Sequence, residues 1–243
     1  MIDLHCHILP KVDDGSESMD ETIAILKKAK KSGFQTICFT PHYAGPNYVN
    51  TKEQNYQIVK QVENKLKEEN ISMNLLLGNE VFIQEEMESL LENGTIATLA
   101  DSSYILIEIP MYQEVPQIVV QKMLEGVRQK GFKIVIAHPE RYLYIQKNPN
   151  ILTEYFGEDV IFQGNYASIL GIYGKGAQKT IKKLLKNKLI HYLSTDTHYA
   201  IKCFYDEMEL IQKKLLKVID KEYFERLTKI NPQLIIENKE VIK

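Results

Sequence analysis

The sequence predicts an α/β fold in which short parallel strands alternate with helices. Three observations predict it. Short apolar runs rich in β-branched residues alternate with longer segments of helical period. Hydrophobic residues make up 44% and charged residues 26% of the 243 residues, which supplies enough apolar side chain for a sizeable core. No proline-, glycine- or serine-rich linker divides the chain, so we expect a single domain over residues 1–243.

Seven apolar runs are the predicted strands. They are Met1–His7, Phe34–Thr40, Met73–Val81, Ser103–Ile109, Phe132–Ala137, Asp159–Gln163 and Leu189–Ser194. The predicted helices between and after them are Met19–Ser32, Glu53–Glu69, Glu85–Glu92, Pro116–Lys130, Ala177–Lys186 and a long tail helix over Asp206–Ile230. Ser18 and Glu21 predict a capping box at the start of the first helix, and Gly33 predicts its end.

Charge and cysteine usage narrow the class of protein. The net charge of −2 gives no global positive field that would attract nucleic acid or an anionic membrane. The N-terminus lacks the basic and apolar regions of a signal peptide, and no apolar run approaches the ~18 residues of a membrane span, so we expect a cytoplasmic protein. Cys6, Cys38 and Cys203 are widely spaced, which predicts neither a disulfide framework nor a thiolate zinc site.

Residues that can carry chemistry lie at the C-terminal ends of the predicted strands. Five of the six histidines and several carboxylates do so. The carboxyl ends of strands in a parallel barrel meet at one rim, where enzymes of this architecture have their active sites. The residues expected to form one cluster there are His5, His7, Asp14, His42, Glu80, Glu108, His138, Asp196 and His198.

The spacing within this cluster predicts metal binding. Residues i and i+2 share one face of a strand, so His5 and His7 point the same way, and Asp196 and His198 repeat the arrangement. Imidazole and carboxylate ligands without thiolates suit Mn²⁺, Fe²⁺ or Zn²⁺. Nine candidate ligands are too many for one ion, so we expect two or three ions and a bridging carboxylate. The prediction depends on the whole set, because one His near a strand end is more often a cap or a surface residue.

Other catalytic chemistries lack their residues. None of the three cysteines has an arginine six positions later, as a cysteine-dependent phosphatase requires, and neither a G-x-S-x-G elbow nor a G-x-x-x-x-G-K-[ST] loop occurs. The Gly171–Gly176 segment with Lys179 only weakly resembles a phosphate loop, and a loop entering a helix is the simpler interpretation. We interpret Asp13 as a turn residue beside Gly15, and His191 as a residue that packs within the last strand.

Seven short motifs follow one another from residue 1 to about residue 200. They are Asp3-Leu-His5-Cys-His7, Asp13-Asp14-Gly15, Thr40-Pro-His42, Gly78-Asn-Glu80, Leu106-Ile-Glu108, Ile136-Ala-His138-Pro-Glu-Arg141-Tyr142 and Ser194-Thr-Asp196-Thr-His198. Together they resemble the polymerase-and-histidinol-phosphatase (PHP) superfamily. Within it, the chain most resembles the bacterial manganese-dependent tyrosine-protein phosphatases of capsule and exopolysaccharide loci, the CpsB/CapC group.

The resemblance implies a distorted seven-stranded, TIM-like (β/α)7 barrel with three metal ions. The implied ligands are His5, His7, Glu80 and Asp196 for the first ion, Glu80, Glu108 and His138 for the second, and Asp14, His42 and His198 for the third. The resemblance also makes Arg141 a two-pronged donor to phosphate, beside catalytic roles for Glu80, His138 and Asp196.

Two positions bear on the branch of the superfamily. Glu108 favours the tyrosine phosphatases, since histidinol phosphatases and related nucleases tend to carry His there. The Arg-Pro stretch associated with capsule-type phosphatases is absent after His198. Lys202 supplies a charge in that segment but not the two-pronged geometry of arginine, which puts substrate preference or efficiency in question.

The function implied by the resemblance is hydrolysis of phosphotyrosine by a hydroxide that bridges two ions. The implied substrate is a phosphotyrosyl protein, the tail of a bacterial tyrosine autokinase of capsule or exopolysaccharide synthesis. Two alternatives stay open: a phosphatase of a small metabolite such as histidinol phosphate, and a non-catalytic, metal-bound regulator of such a kinase. Neither a nucleic-acid partner nor membrane insertion is expected, and a homo-oligomer is compatible with the sequence.

Overall fold

The computed structural model describes residues 1–201 and 203–243. The strands are β1 (Ile2–Asp3), β2 (Thr36–Phe39), β3 (His42–Tyr43), β4 (Asn74–Leu77), β5 (Glu80–Phe82), β6 (Tyr104–Glu108), β7 (Lys133–Ile136), β8 (Ile161–Asn165) and β9 (Tyr192–Ser194). The helices are α1 (Met19–Lys31), α2 (Lys52–Glu68), α3 (Met87–Glu92), α4 (Gln117–Gln129), α5 (Leu143–Lys147), α6 (Leu152–Phe156), α7 (Gly174–Lys186), α8 (Met208–Leu215), α9 (Lys221–Glu225) and α10 (Asn231–Ile236).

The strands form two parallel sheets, which confirms the α/β class. One sheet has the order β1-β2-β4, and the other has the order β3-β5-β6-β7-β8-β9. Helices cover the strands and bury one main apolar core, to which α1 contributes the predicted residues Ile23, Leu26 and Ala29. Within the described ranges, no helix is long and apolar enough to cross a membrane.

The predicted count of seven strands differs from the nine short strands formed by the described residues. Each predicted strand overlaps an observed one, although β8 extends two residues beyond Asp159–Gln163. Met73–Val81 divides into β4 and β5, and β3 was not predicted. Both interruptions occur where β-ladder hydrogen bonds fail. Between β2 and β3, Pro41 has no N–H to donate. Between β4 and β5, the Asn79 side chain takes the place of backbone partners, because it donates to the Pro41 carbonyl and accepts from the Ala97 N–H.

The segment around His5 lies against the segment around Asp196. Cys6 and Thr197 form a parallel bridge, and the Asp196 N–H donates to the His5 carbonyl at 2.9 Å. The buried carboxylate of Asp3 accepts from the Thr195 hydroxyl at 2.6 Å and from the Tyr205 hydroxyl at 2.7 Å. These bonds hold the first and last ligand-bearing segments against each other.

Two predictions about helix ends need correction. Ser18 accepts the Glu21 N–H as predicted, but the Glu21 carboxylate accepts from the Glu17 N–H, so the reciprocal half of the capping box is absent there. The predicted tail helix, Asp206–Ile230, is broken into α8, α9 and a π-helical turn over Arg226–Ile230, and α10 follows beyond it. The break follows from Asp220, whose extended backbone and side-chain bond to the Tyr223 N–H start a new helix.

Candidate metal centre

All nine predicted ligands converge at one end of the sheets. Their donor atoms fall into four overlapping groups, in each of which the atoms lie within 4.8 Å of one another. The groups are His7, Asp14, His42 and His198; His5, Glu80 and His138; His5, His7 and Asp196; and His42, Glu80 and Glu108. Each group could hold a metal ion, and His5, His7, His42 and Glu80 each belong to two of them.

The His5 and His7 rings provide a test of whether a cation fits. The Gln163 Oε1 atom accepts a hydrogen bond from the backbone N–H of His138, which identifies it as the amide oxygen. The His5 Nδ1 atom lies 2.9 Å from this acceptor and must therefore carry a proton. The His7 Nδ1 atom donates to Asp13 Oδ2 at 2.7 Å. In the neutral rings the two Nε2 lone pairs then face each other at 3.1 Å. Such a pair needs positive charge between or beside its atoms. Burial alone would lower the pKa of His7, but Asp13 and Glu80 raise it well above its usual value, so a proton supplies that charge in the absence of metal, and a bound divalent cation would take its place.

Glu80 is at the centre of the cluster. Its Oε2 atom lies 3.3 Å from His5 Nε2 and 3.1 Å from His7 Nε2, and its Oε1 atom lies 3.0 Å from His138 Nε2. Burial alone would raise the pKa of Glu80, but the imidazoles of His5 and His42 hold it well below its usual range. Its two oxygens therefore face different groups of nitrogens.

Two further ligands have pKa values that reflect the crowding of charge. Burial and the carboxylates of Glu80 and Asp196 raise the pKa of Glu108 to about 8. Burial and the Arg141 guanidinium lower the pKa of His138 to about 4. A neutral His138 is the form that ligates metal, and added positive charge would favour the ionised form of Glu108.

The backbone is strained at two of these ligands. His138 has a φ of 31° and Asp196 a φ of 53°, both in the left-handed region that residues with a Cβ rarely adopt. Such conformations cost about 1–3 kcal/mol each and occur at functional sites where the surroundings enforce them. Here the strain turns both side chains into the cluster.

Sequence reasoning missed two residues that orient the ligands. Asp13 is more than a turn residue, because its buried carboxylate accepts from His7 Nδ1 and from the His42 N–H. Gln163 orients His5 in the same way. The sequence signal for this role of Asp13 was its position beside Asp14 and Gly15. A Cβ at Gly15 would lie 1.6 Å from the His7 carbonyl oxygen, so only glycine allows this turn to approach His7 so closely.

Arg141 lies at the edge of the cluster, as expected. Its Nη1 atom is 2.7 Å from Asp196 Oδ2, and its guanidinium lies over the Tyr173 ring at 4.4 Å. Asn165 donates to the same Asp196 oxygen at 2.7 Å. The Glu140 carboxylate accepts from the Asn165 N–H and thereby ties the turn that carries Arg141 to the end of β8.

The remaining sequence interpretations can be compared with the structure. Cys6 and Cys38 are buried, and burial raises the pKa of both thiols, which makes them poor nucleophiles. His191 packs locally, accepting the Phe162 N–H at its Nδ1 atom. The Gly171–Gly176 segment is a loop entering α7. Lys202 lies outside the described residues.

Comparisons with known proteins show to which family the chain is similar. Residues 1–237 match the family model described as capsular polysaccharide synthesis, CpsB/CapC. The chain is 33% identical to the tyrosine-protein phosphatase YwqE of Bacillus subtilis, covering 100% of this chain and 91% of that protein. It is 30% identical to the putative tyrosine-protein phosphatase CapC of Staphylococcus aureus, covering 100% and 94%.

A solved structure is also similar throughout. It comes from work on YwqE from Bacillus subtilis and CpsB from Streptococcus pneumoniae, described as metal-dependent tyrosine phosphatases. The TM-score is 0.91 at 30% sequence identity, and the match covers 100% of this chain and 96% of that chain.

Proposed function

Because this chain belongs to the CpsB/CapC family of capsular polysaccharide synthesis, we propose that it is a metal-dependent protein-tyrosine phosphatase. The observation that carries the proposal is the pair of His5 and His7 Nε2 atoms, which face each other beside the carboxylate of Glu80. The relatives named as tyrosine phosphatases and the metal-dependent structural neighbour support the same reaction. The enzyme is a hydrolase of phosphoric monoesters.

The finer description of the fold is part of the proposal. A distorted seven-stranded barrel results if β2 with β3, and β4 with β5, each occupy one strand position interrupted at Pro41 and Gly78. The pairing of β2 with β4 and of β3 with β5 supports this description, as does the bridge from Cys6 to Thr197. On this description residues 1–243 form one domain.

The metal proposed is manganese, as two or three ions, with Fe²⁺ or Zn²⁺ as alternatives. The proposed ligands are the nine residues of the cluster, and the partition implied by the resemblance agrees with their groups in most respects. Asp14, His42 and His198 group together, and so do His5, His7 and Asp196. Glu108 groups with His42 and Glu80, although its Oε1 atom is also 3.7 Å from His138 Nε2.

The residues of the chain have defined tasks in this reaction. Bound cations would supply Lewis acidity and a more acidic water. Arg141 binds phosphate oxygens with a guanidinium that is fixed by Asp196 and Tyr173 before the substrate arrives. Glu80, His138 and Asp196, as proposed ligands, would fix the position of the cations beside the reacting phosphorus. A phenol of pKa ~10 leaves more readily than an alkyl alcohol, so phosphotyrosine needs less help from a general acid.

The proposed substrate is a phosphotyrosyl protein, namely the tail of a bacterial tyrosine autokinase of capsule or exopolysaccharide synthesis, dephosphorylated in the cytoplasm. The family description supports the capsule context. The Staphylococcus aureus relative is named as a putative tyrosine-protein phosphatase. These names support a phosphotyrosyl protein and the capsule context, and the kinase tail is the partner proposed within that context.

Hydrolysis rates on two substrates test the proposal. Purified protein with Mn²⁺ should hydrolyse a phosphotyrosyl peptide, a chelator should abolish the activity, and histidinol phosphate should react more slowly. Asp196→Asn should reduce the rate by at least about a hundredfold, since a proposed ligand of the first ion loses its charge. Asp206→Asn, an exposed aspartate paired with Lys28, is the matched control. Full activity of Asp196→Asn, or faster hydrolysis of histidinol phosphate, would remove the proposal.

A further inference from the structure

A cavity of about 250 Å³ lies beside Arg141. Much of its lining is apolar or aromatic and comes from three loops that follow β6, β7 and β8. Met111 and Tyr112 contribute from the first loop, Leu143 from the start of α5, and Tyr173 from the residue before α7. The residues of the metal cluster do not need these side chains, so the cavity requires its own explanation.

The walls of this cavity are fixed by specific contacts. The Leu143 N–H donates to the Met111 carbonyl at 2.9 Å, which joins two of the loops. Gln146 donates to the Arg141 carbonyl at 3.3 Å. Gly176 allows α7 to approach that side chain, because a Cβ there would lie 2.1 Å from Gln146 Oε1. The cavity is therefore preformed, as ligand sites usually are.

Arg141 is common to the cavity and the metal cluster. It lines the cavity, and its Nη1 atom lies 2.7 Å from Asp196 Oδ2. A phosphate bound by this guanidinium would present its ester oxygen within reach of the cavity. The group attached to that oxygen would then lie against Met111, Leu143 and the ring of Tyr173.

We propose that the cavity is the subsite for the aromatic ring of the substrate phosphotyrosine, with Met111, Tyr112 and Leu143 as specificity-determining residues. The inference rests on the proposed function and adds the basis of its preference for aryl esters. A cavity of about 150 Å³ is enough to hold benzene, so the volume here accommodates a phenyl ring. Tyr112 is 80% exposed and Leu143 is 41% exposed, which leaves large apolar surfaces available for contact with a ring.

The alternative is that selectivity arises only from the better leaving group. Binding separates the two explanations, since a phosphonate does not react. Benzylphosphonate and ethylphosphonate carry the same anionic group on an aromatic and an aliphatic chain. Their dissociation constants, measured by calorimetry with the Mn²⁺-loaded protein, report the ring subsite without turnover.

We expect the wild-type protein to bind benzylphosphonate about tenfold or more tightly than ethylphosphonate, from burial of the ring against apolar walls. Leu143→Asn and Tyr112→Ala should lose most of this preference while keeping their affinity for ethylphosphonate. Leu210→Asn is the matched control, since Leu210 is 45% exposed on α8. Thermal unfolding of each variant checks that the fold is retained.

Equal affinity of the wild-type protein for the two phosphonates would overturn the inference, as would an undiminished preference in both Leu143→Asn and Tyr112→Ala. The proposed function fails separately, through absence of Mn²⁺-dependent hydrolysis of a phosphotyrosyl peptide. An active enzyme without ring preference therefore removes the subsite and retains the phosphatase.

Discussion

Replacement of Asp13 by asparagine tests whether the cluster depends on the residues behind its ligands. Asp13 Oδ2 accepts from His7 Nδ1 at 2.7 Å and from the His42 N–H at 2.9 Å, while Oδ1 accepts from the Gly15 N–H at 3.1 Å. Asparagine keeps the shape of the side chain but has only one acceptor oxygen. Whichever way the amide is turned, its NH₂ group faces at least one of these donors.

The expected loss of Mn²⁺ affinity follows from which donors keep an acceptor in the asparagine variant. If the amide oxygen faces Gly15, both His7 and His42 lose their acceptor; if it faces them, the Gly15 N–H is left without one. An unsatisfied buried donor costs about 1–3 kcal/mol. In either orientation His7 Nδ1 loses its carboxylate partner, a group that raises the basicity of the ring as a ligand, and loss of such a partner typically weakens metal binding by about 10–100-fold. We therefore expect Asp13→Asn to raise the dissociation constant for the most weakly bound Mn²⁺ by this factor.

Calorimetric titration of the apoprotein with Mn²⁺ measures this change. Asp159→Asn serves as the control, because Asp159 is an exposed aspartate in a turn before β8. Activity measured against Mn²⁺ concentration should show the same shift, with nearly wild-type activity restored at saturating metal. Unchanged Mn²⁺ affinity in Asp13→Asn would refute the idea that this carboxylate orients His7 for a metal ion.

Three further outcomes are expected. His138→Ala should remove at least one ion per chain and nearly all activity, which elemental analysis and a phosphatase assay check. Arg141→Lys should lower kcat/KM about 10–100-fold with metal content unchanged, because lysine cannot form the two-pronged contact. His191 has a pKa lowered to about 4 by burial and by Lys243 and Arg226, so protonation favours the unfolded chain and stability is lost as pH falls from 6.5 towards 4. His191→Asn keeps an acceptor for Phe162 and should reduce that loss by about 3 kcal/mol, measured as the difference between urea unfolding curves at pH 7 and pH 4.

The convergence of the nine candidate residues could be predicted because it follows from strand ends, which sequence patterns locate well. An apolar run with β-branched residues, which predicts a strand, leads up to each of His5, Glu108 and His138. Parallel strands then bring such positions to one rim whatever their separation in the chain. The convergence of all nine donor residues agrees with that reasoning.

The elements that sequence reasoning missed depend on tertiary contacts. The division of one predicted strand into β4 and β5 relies on Asn79 bonding to Pro41 and Ala97, which are distant in sequence. The role of Gln163 depends on the approach of His5 from 158 residues away. The break at Asp220 had a local signal, since aspartate is a good N-cap, but the strong apolar period of the tail concealed it.

Elemental analysis of the purified protein after equilibration with Mn²⁺ and removal of free metal measures the central claim directly. We predict two or three manganese ions per chain, and fewer in a protein carrying Asp196→Asn. A chain that retains less than one ion, with no difference between the wild-type protein and that variant, would contradict the assignment of this cluster as a metal centre.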